Sequence, residues 1–336
     1  MVREYIRLGL FFYYKKIDVV NVEHVPKKGA VLFLANHQNA LLDALLIATK
    51  SGRFSYFLTR ASVFNNAFFS SILKSLQMIP VYRIRDGWNN LSRNNAIFRK
   101  SATLLNESNA IVIFPEGSHN INRTVRSLSK GFTRIIFETF ERYPEVHLQL
   151  VPVGLNFVQA ERFGDSASLY FGSPISITSN AIANGSITVE YLRQTIFDRL
   201  CGLTTHIDSE NYDDVLKKLK QVNVDFLKPE LVNRCIAENF KNCEVSKTKD
   251  FSKLKRFFKF WLIVALILPY LIWKFGVQPK IKEVEFRSTF RFAVAISLVP
   301  IYMLAIFALL FVLYGLSWAL MYLFSALVIA LLSIKL

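Results

Sequence analysis

Cysteine is scarce: Cys201, Cys235 and Cys243 are the only three in 336 residues. Their number and irregular spacing exclude a disulfide framework and a structural zinc site, and they read as reduced thiols facing a cytoplasm. Acidic residues are also few, 25 against 41 Lys and Arg, which leaves a net charge of +16. No basic helix, zinc spacing or aromatic RNA-binding motif accompanies that charge, so nucleic acid is set aside as its partner. Metal-ligand spacings and a G-x-S-x-G nucleophile elbow are missing too, which argues against a metal centre and a covalent serine intermediate. No repeat appears at solenoid periods, and no cleavable signal peptide is apparent.

What the chain has in excess is apolar surface: 52% of residues are hydrophobic and 14% aromatic, where soluble domains hold nearer 45–50% apolar. The excess gathers in residues 257–275, 292–313 and 316–334. The last two are each about the ~20 residues needed to cross a bilayer, and Gly315 stands between them, so they predict a transmembrane hairpin. The first is flanked by Lys253, Lys255, Arg256 and Lys259 on one side and by Lys274, Lys280, Lys282, Arg287 and Arg291 on the other. Both flanks belong on the cytoplasmic side by the positive-inside tendency, and Pro269 interrupts the run, so 257–275 reads as re-entrant or interfacial, with a full crossing as the alternative. Residues 1–16 form a short apolar segment with interspersed cations, suited to lying on a bilayer. The surplus of positive charge fits contact with anionic lipid headgroups.

Between these ends, residues 17–205 alternate strand and helix patterns. Strands are expected at 17–25, 30–35, 55–59, 78–82, 110–114 and 148–156, with helices at 41–49, 64–76, 90–107 and 129–142. That order predicts an α/β domain with a central mixed sheet flanked by helices, plus the C-terminal transmembrane hairpin. Residues 206–256 are polar and Lys-rich and read as a helical linker.

Two segments carry candidate chemistry, Asn36-His37-Gln38-Asn39-Ala40-Leu41-Leu42-Asp43 and Phe114-Pro115-Glu116-Gly117-Ser118. Each follows a buried-strand pattern, and in α/β sheets ligands gather at the carboxyl ends of strands. On a regular helix an offset of six residues rotates side chains by roughly 240°, so His37 and Asp43 can meet only if the chain turns between them. Such a turn would give an imidazole base held by a carboxylate, with one ring nitrogen free to take a proton from an alcohol. In the second segment Gly117 permits close backbone approach, Ser118 adds a hydroxyl, and exposed N–H groups of the turn can hold phosphate. Glu116 could take a second hydroxyl of the same acceptor.

In their order and spacing these segments resemble the glycerolipid acyltransferase family, which includes glycerol-3-phosphate and lysophosphatidate acyltransferases. Asn36, His37 and Asp43 match its first block, Ile79-Pro80-Val81-Tyr82-Arg83 the second, Phe114 to Ser118 the third and Val151-Pro152-Val153-Gly154 the fourth. The resemblance covers residues 17–180 or so. It implies that His37 and Asp43 are the catalytic pair, and that Arg60 and Arg83 hold the acceptor phosphate, for which a planar guanidinium is suited. Two departures stand out. Five residues separate His37 from Asp43 where the commonest spacing is four, which is similar to the branch with fungal-type glycerol-3-phosphate and dihydroxyacetone-phosphate acyltransferases. His119 follows Ser118 where an arginine often stands, leaving Arg123 as the next cation and phosphate contact through that position open.

The resemblance implies transfer of an acyl group from acyl-CoA or acyl-ACP, a co-substrate and not a cofactor, to glycerol 3-phosphate or lysophosphatidate at a membrane, with the catalytic domain facing the cytoplasm and no metal. Dihydroxyacetone phosphate, an amino-acid lyso-lipid, or a non-catalytic lipid-binding role are the alternatives.

Overall fold

The chain is described by a computed structural model that covers residues 1–64, 67–82, 94–246 and 251–336. Among the described residues the strands are β1 Lys16–Val20, β2 Ala30–Ala35, β3 Ser55–Arg60, β4 Met78–Val81, β5 Ala110–Ile113, β6 Leu148–Phe157, β7 Ser166–Phe171 and β8 Ile175–Ile177. They form one sheet in the order β1-β7-β6-β2-β5-β3-β4, with β8 also paired to β6. β2 runs parallel to both β5 and β6, and β3 is parallel to β4 and β5, whereas β7 and β8 are antiparallel to β6. The sheet is therefore mixed, as the alternating pattern predicts.

β2 (AVLFLA) is buried at all six positions. Both its faces are covered, which is why its apolar run is continuous and not alternating. Val31, Phe33 and Ala35 belong to one core, with helices α1 (Val2–Tyr13) and α2 (Ala40–Lys50). Leu32 and Leu34 belong to the other, with α4 (Asn94–Asn106), α5 (Gly131–Arg142) and α6 (Val189–Leu203); α3 spans Ala67–Ser75. The strand expected over 17–25 stops at Val20, because Asn21 takes a left-handed φ of 56° and Val22–His24 closes a 3-10 turn. Residues 90–93 of the helix expected over 90–107 lie outside the described residues.

Residues 206–246 are more than a linker. Helices α7 (Tyr212–Val222) and α8 (Pro229–Ala237) enclose a small core of Ile207, Leu219, Val224, Phe226, Val232 and Cys235. The unit is fastened to the sheet by Ser168 Oγ and Tyr170 OH, which donate to the Leu227 carbonyl at 2.8 and 3.0 Å. It also corrects the cysteine reading: Cys235 and Cys243 are joined in a disulfide, their Cα atoms 4.8 Å apart. The chain turns back after α8, and a sequence separation of 8 brings the two sulfurs together, a proximity that spacing alone does not show. Cys201 remains a free thiol, its pKa pushed up to about 12 by burial.

Helix α9 (Ser252–Ala265) meets the limb Ile267–Lys280 at 99°, the shape of a broken span or a re-entrant loop. Helices α10 (Arg287–Tyr314) and α11 (Leu316–Lys335) are long and apolar enough to cross a membrane, and Gly315 turns the chain between them. The foot of α10 is built into the domain. Ser288 Oγ donates to the Ala160 carbonyl at 2.7 Å, Phe292 is buried, and a Cβ on Gly9 of α1 would meet Ile296 Cγ2 at 2.7 Å.

Candidate active site

The carboxyl ends of β2, β5 and β3 point the same way, and the predicted residues collect along that edge. Asn36 fixes the exit of β2: its side chain donates to the Leu155 carbonyl at 2.9 Å and accepts the Leu155 N–H at 2.7 Å, so the strand end is pinned to β6. The chain then leaves the sheet and turns, with Ala40 at φ 42°. A left-handed alanine costs roughly 1–2 kcal/mol, and this turn is where the long spacing between His37 and Asp43 is accommodated. α2 starts at Ala40 and carries Asp43 in its first turn.

The turn does what the spacing demands. His37 Nδ1 lies 2.8 Å from Asp43 Oδ2, and the same oxygen accepts the Asn39 N–H at 2.7 Å. The carboxylate is fully buried, and its Oδ1 has no hydrogen-bond partner among the described residues. The imidazole keeps 17% exposure and stacks on Phe114, ring centroids 4.0 Å apart and planes 16° apart. With Nδ1 committed to Asp43, Nε2 is the nitrogen left for a substrate proton.

The third block is stitched to the first through main chain. The Asn120 N–H donates to the His37 carbonyl at 2.9 Å, and the Glu116 carboxylate takes the His37 N–H. Glu116 is almost wholly buried, and burial raises its pKa, against which Arg126 and His37 pull it down. Arg126 Nε donates to Glu116 at 2.8 Å, one Nη donates to Ser118 Oγ at 2.8 Å and the other to the Ser118 carbonyl. Glu116, Ser118 and Arg126 thus form a closed network that shapes the loop around Gly117, whose φ is +72°. Arg126 was not singled out from sequence; the only signal was that a buried glutamate needs a cation, and nothing local said which.

The remaining candidates are not all brought together. Arg60 ends β3 at the same edge, two strands from β2 and so about 10 Å along the sheet, and it is exposed. Arg83 lies outside the described residues. Arg123 turns away: its guanidinium lies 3.8 Å over the Phe226 ring and donates to the Val158 carbonyl at 2.8 Å, and burial lowers its pKa to about 10. It serves the junction with the α7–α8 unit. His119, by contrast, sits beside the centre, its ring 5.7 Å from that of His37. It is held by residues just before α10, by Glu283 at 3.0 Å and by the Phe286 ring at 4.6 Å. Three residues further on, Thr289 Oγ1 accepts the Leu41 N–H at 3.2 Å, satisfying a free donor at the start of α2. The segment that leads into α10 therefore touches both blocks, a contact with no signature in the sequence.

An imidazole fixed by a buried carboxylate, at a strand-end cleft walled by a proposed membrane helix, is suited to removing a proton from an alcohol that attacks an acyl carbonyl. Comparison with known proteins agrees. Residues 16–156 match the family model described as Acyltransferase. Glycerol-3-phosphate O-acyltransferase 1 of Saccharomyces cerevisiae is 27% identical over 89 residues, covering 26% of this chain and 12% of the yeast protein. A probable 1-acyl-sn-glycerol-3-phosphate acyltransferase of Mycoplasma pneumoniae is 28% identical over 154 residues, covering 44% of this chain and 54% of that one. The matches thus span no more than about half the length of these relatives. The crystal structure of the 1-acyl-sn-glycerophosphate acyltransferase PlsC from Thermotoga maritima overlays with a TM-score of 0.42 at 19% identity, over 59% of this chain and 75% of that one. Residues 16–156, which hold His37, Asp43 and the Phe114–Ser118 loop, are thus similar to the acyltransferase family.

Proposed function

We propose that this chain transfers a fatty acyl group from a thioester donor to a hydroxyl of a glycerol-phosphate-type acceptor, glycerol 3-phosphate or lysophosphatidate, at a membrane surface. The observation that carries the reading is the 2.8 Å contact of His37 Nδ1 with the buried Asp43 carboxylate. His37 Nε2 removes the acceptor's hydroxyl proton as its oxygen attacks the thioester carbonyl. The C–O bond forms, the C–S bond breaks, and the imidazolium returns the proton to the departing thiolate. His37 performs both transfers, so the reaction calls for no metal or cofactor. Donors such as acyl-CoA or acyl-ACP supply the thioester. Backbone N–H groups of the loop are suited to the oxyanion, and Arg60 and Arg83 to the acceptor phosphate.

Membrane placement follows from solubility. Exposing an acyl chain to water costs ~0.8 kcal/mol per CH₂, which a site at the bilayer surface avoids. The cations that flank the apolar segments favour a cytoplasmic domain; the Cys235–Cys243 bond, unusual in a reducing compartment, weighs on the other side. The function is tested with membranes carrying the full chain, a labelled acyl thioester, and glycerol 3-phosphate, lysophosphatidate or dihydroxyacetone phosphate as acceptor. Transfer to one of the first two, abolished by His37→Ala, is expected. Equal activity of His37→Ala and the parent chain would overturn the reading, and transfer to dihydroxyacetone phosphate alone would reassign the acceptor.

A further inference from the structure

Helix α11 has 20 residues and ends on Lys335. At 1.5 Å per residue it is about 30 Å long, the thickness of the hydrocarbon core. A helix of that length which crosses the bilayer from Gly315 leaves Lys335 at headgroup depth on the side of the catalytic domain. Its Nζ donates to the carbonyls of Tyr14 and Lys15 at 2.8 and 3.3 Å, and stands 4.0 Å over the Phe11 ring. Lys15 Nζ in turn donates to the Leu336 carbonyl at 2.6 Å. The end of α1 and the end of α11 are thereby locked at one level.

More cations converge on that level. Lys255 of α9 stands with its Nζ 3.9 Å from the position of a Cβ on Gly164, whose N–H bonds the Tyr13 carbonyl at 3.1 Å. Lys259 lies one turn along α9 from Lys255, a neighbouring position on the helix surface, and Lys15 and Lys259 add to burial in lowering the Lys255 pKa. Lys50, at the end of α2, likewise repels Lys335. Among the described residues, no Asp or Glu side chain lies within ion-pair distance of Lys15, Lys50, Lys255, Lys259 or Lys335. Asp165 is the one carboxylate felt by Lys255, and it is buried and bonded to the Gln159 and Ser166 N–H groups. Ammonium groups gathered at one level and paired with no acidic side chain, at the depth of lipid phosphates, define a site for an anion.

We infer that Lys15, Lys255, Lys259 and Lys335 bind the phosphate of an anionic glycerophospholipid headgroup at the foot of the membrane hairpin. The inference rests on the hairpin's crossing a bilayer and is independent of the catalytic assignment. Three of the four cations come from segments outside the matched domain, and the fourth precedes it by one residue. The site is therefore an addition made by the membrane-facing segments.

The experiment is native mass spectrometry of the full chain released from nanodiscs of phosphatidylcholine mixed equally with phosphatidylglycerol. The chain is expected to retain phosphatidylglycerol in preference, and His37→Ala to retain it equally, which separates this result from the fate of the catalytic reading. The variant K15Q/K255Q/K259Q, which leaves Lys335 and its carbonyl bonds in place, should lose the preference by about a hundredfold, each lysine near an anionic surface contributing a factor of about five. The charge-keeping variant K15R/K255R/K259R should keep it. Equal retention of both lipids by the parent chain would overturn the inference. So would an equal loss in K217Q/K220Q, which removes charge from α7 only, because the effect would then be net charge and not a site. Displacement of the lipid by inorganic phosphate or by coenzyme A at matched concentration would also overturn it, in favour of a free phosphate or a donor phosphate.

Discussion

Asp43→Asn isolates what the buried carboxylate contributes. Asp43 Oδ2 receives both the imidazole and the Asn39 N–H, while Oδ1 receives nothing among the described residues. An amide oxygen in the place of Oδ2 preserves both bonds and the ring tautomer, so the substitution removes charge more than geometry. The imidazolium formed at the transition state then loses a partner whose charge lies about 4 Å away. At an effective dielectric of about 20 that attraction is worth about 4 kcal/mol, or about a thousandfold in rate. The assay is thiol release from an acyl thioester in membranes carrying the full chain. The expected result is a kcat lower by about a thousandfold with KM for both substrates unchanged, because Asp43 is fully buried and touches neither. A rate within about fivefold of the parent, or a loss carried by KM, would refute the pairing as the source of catalysis.

Two further outcomes follow from the same geometry. Arg126→Ala leaves Glu116 buried without its cation, which should cost about 3 kcal/mol and lower the melting temperature in detergent; the double variant with Glu116→Gln should recover most of it, and failure to recover would show that the ion pair is not the cause. Asp165 is held at a pKa of about 6 by burial, above the ~3.9 of an unfolded chain. The folded state therefore binds more protons between about pH 4 and 6, and stability falls as pH rises through that window, by at most about 3 kcal/mol. Asp165→Asn should melt higher than the parent at pH 8 and alike below pH 4, and parallel curves at all pH would contradict this.

Much of the fold was legible because apolar runs of strand length bounded by turns have few other readings. β2, β5 and β6 lie within a residue of their expected places, since burial on both faces keeps these runs almost wholly apolar. The contact of His37 with Asp43 was legible for a different reason: two residues that no regular helix can bring together stood at the end of a buried strand. What stayed hidden was long-range. Arg123 and Arg126 look equivalent in sequence, yet one faces Phe226 and the other Glu116. The choice is made by the α7–α8 unit, which receives the Arg123 main chain through Tyr212 and Ile207. The polar surface of those helices disguised a core of six residues. Gly154 reads as an ordinary strand residue, but a Cβ there would meet the Leu203 carbonyl oxygen at 2.1 Å.

The way α10 is rooted has a kinetic consequence. Thr289 accepts the Leu41 N–H between His37 and Asp43, and Ser288 shares the Ala160 carbonyl with the Asn39 side chain, so no slack tether separates the hairpin from that pair. With the hairpin set across a bilayer, the cleft keeps one height and one tilt relative to the lipid. On the proposed function with lysophosphatidate as acceptor, that amphiphile would arrive by sliding sideways within a leaflet, while a carrier-borne donor would drop in from solution. The two reactants would then be sorted by the dimension in which they travel before either touches the imidazole.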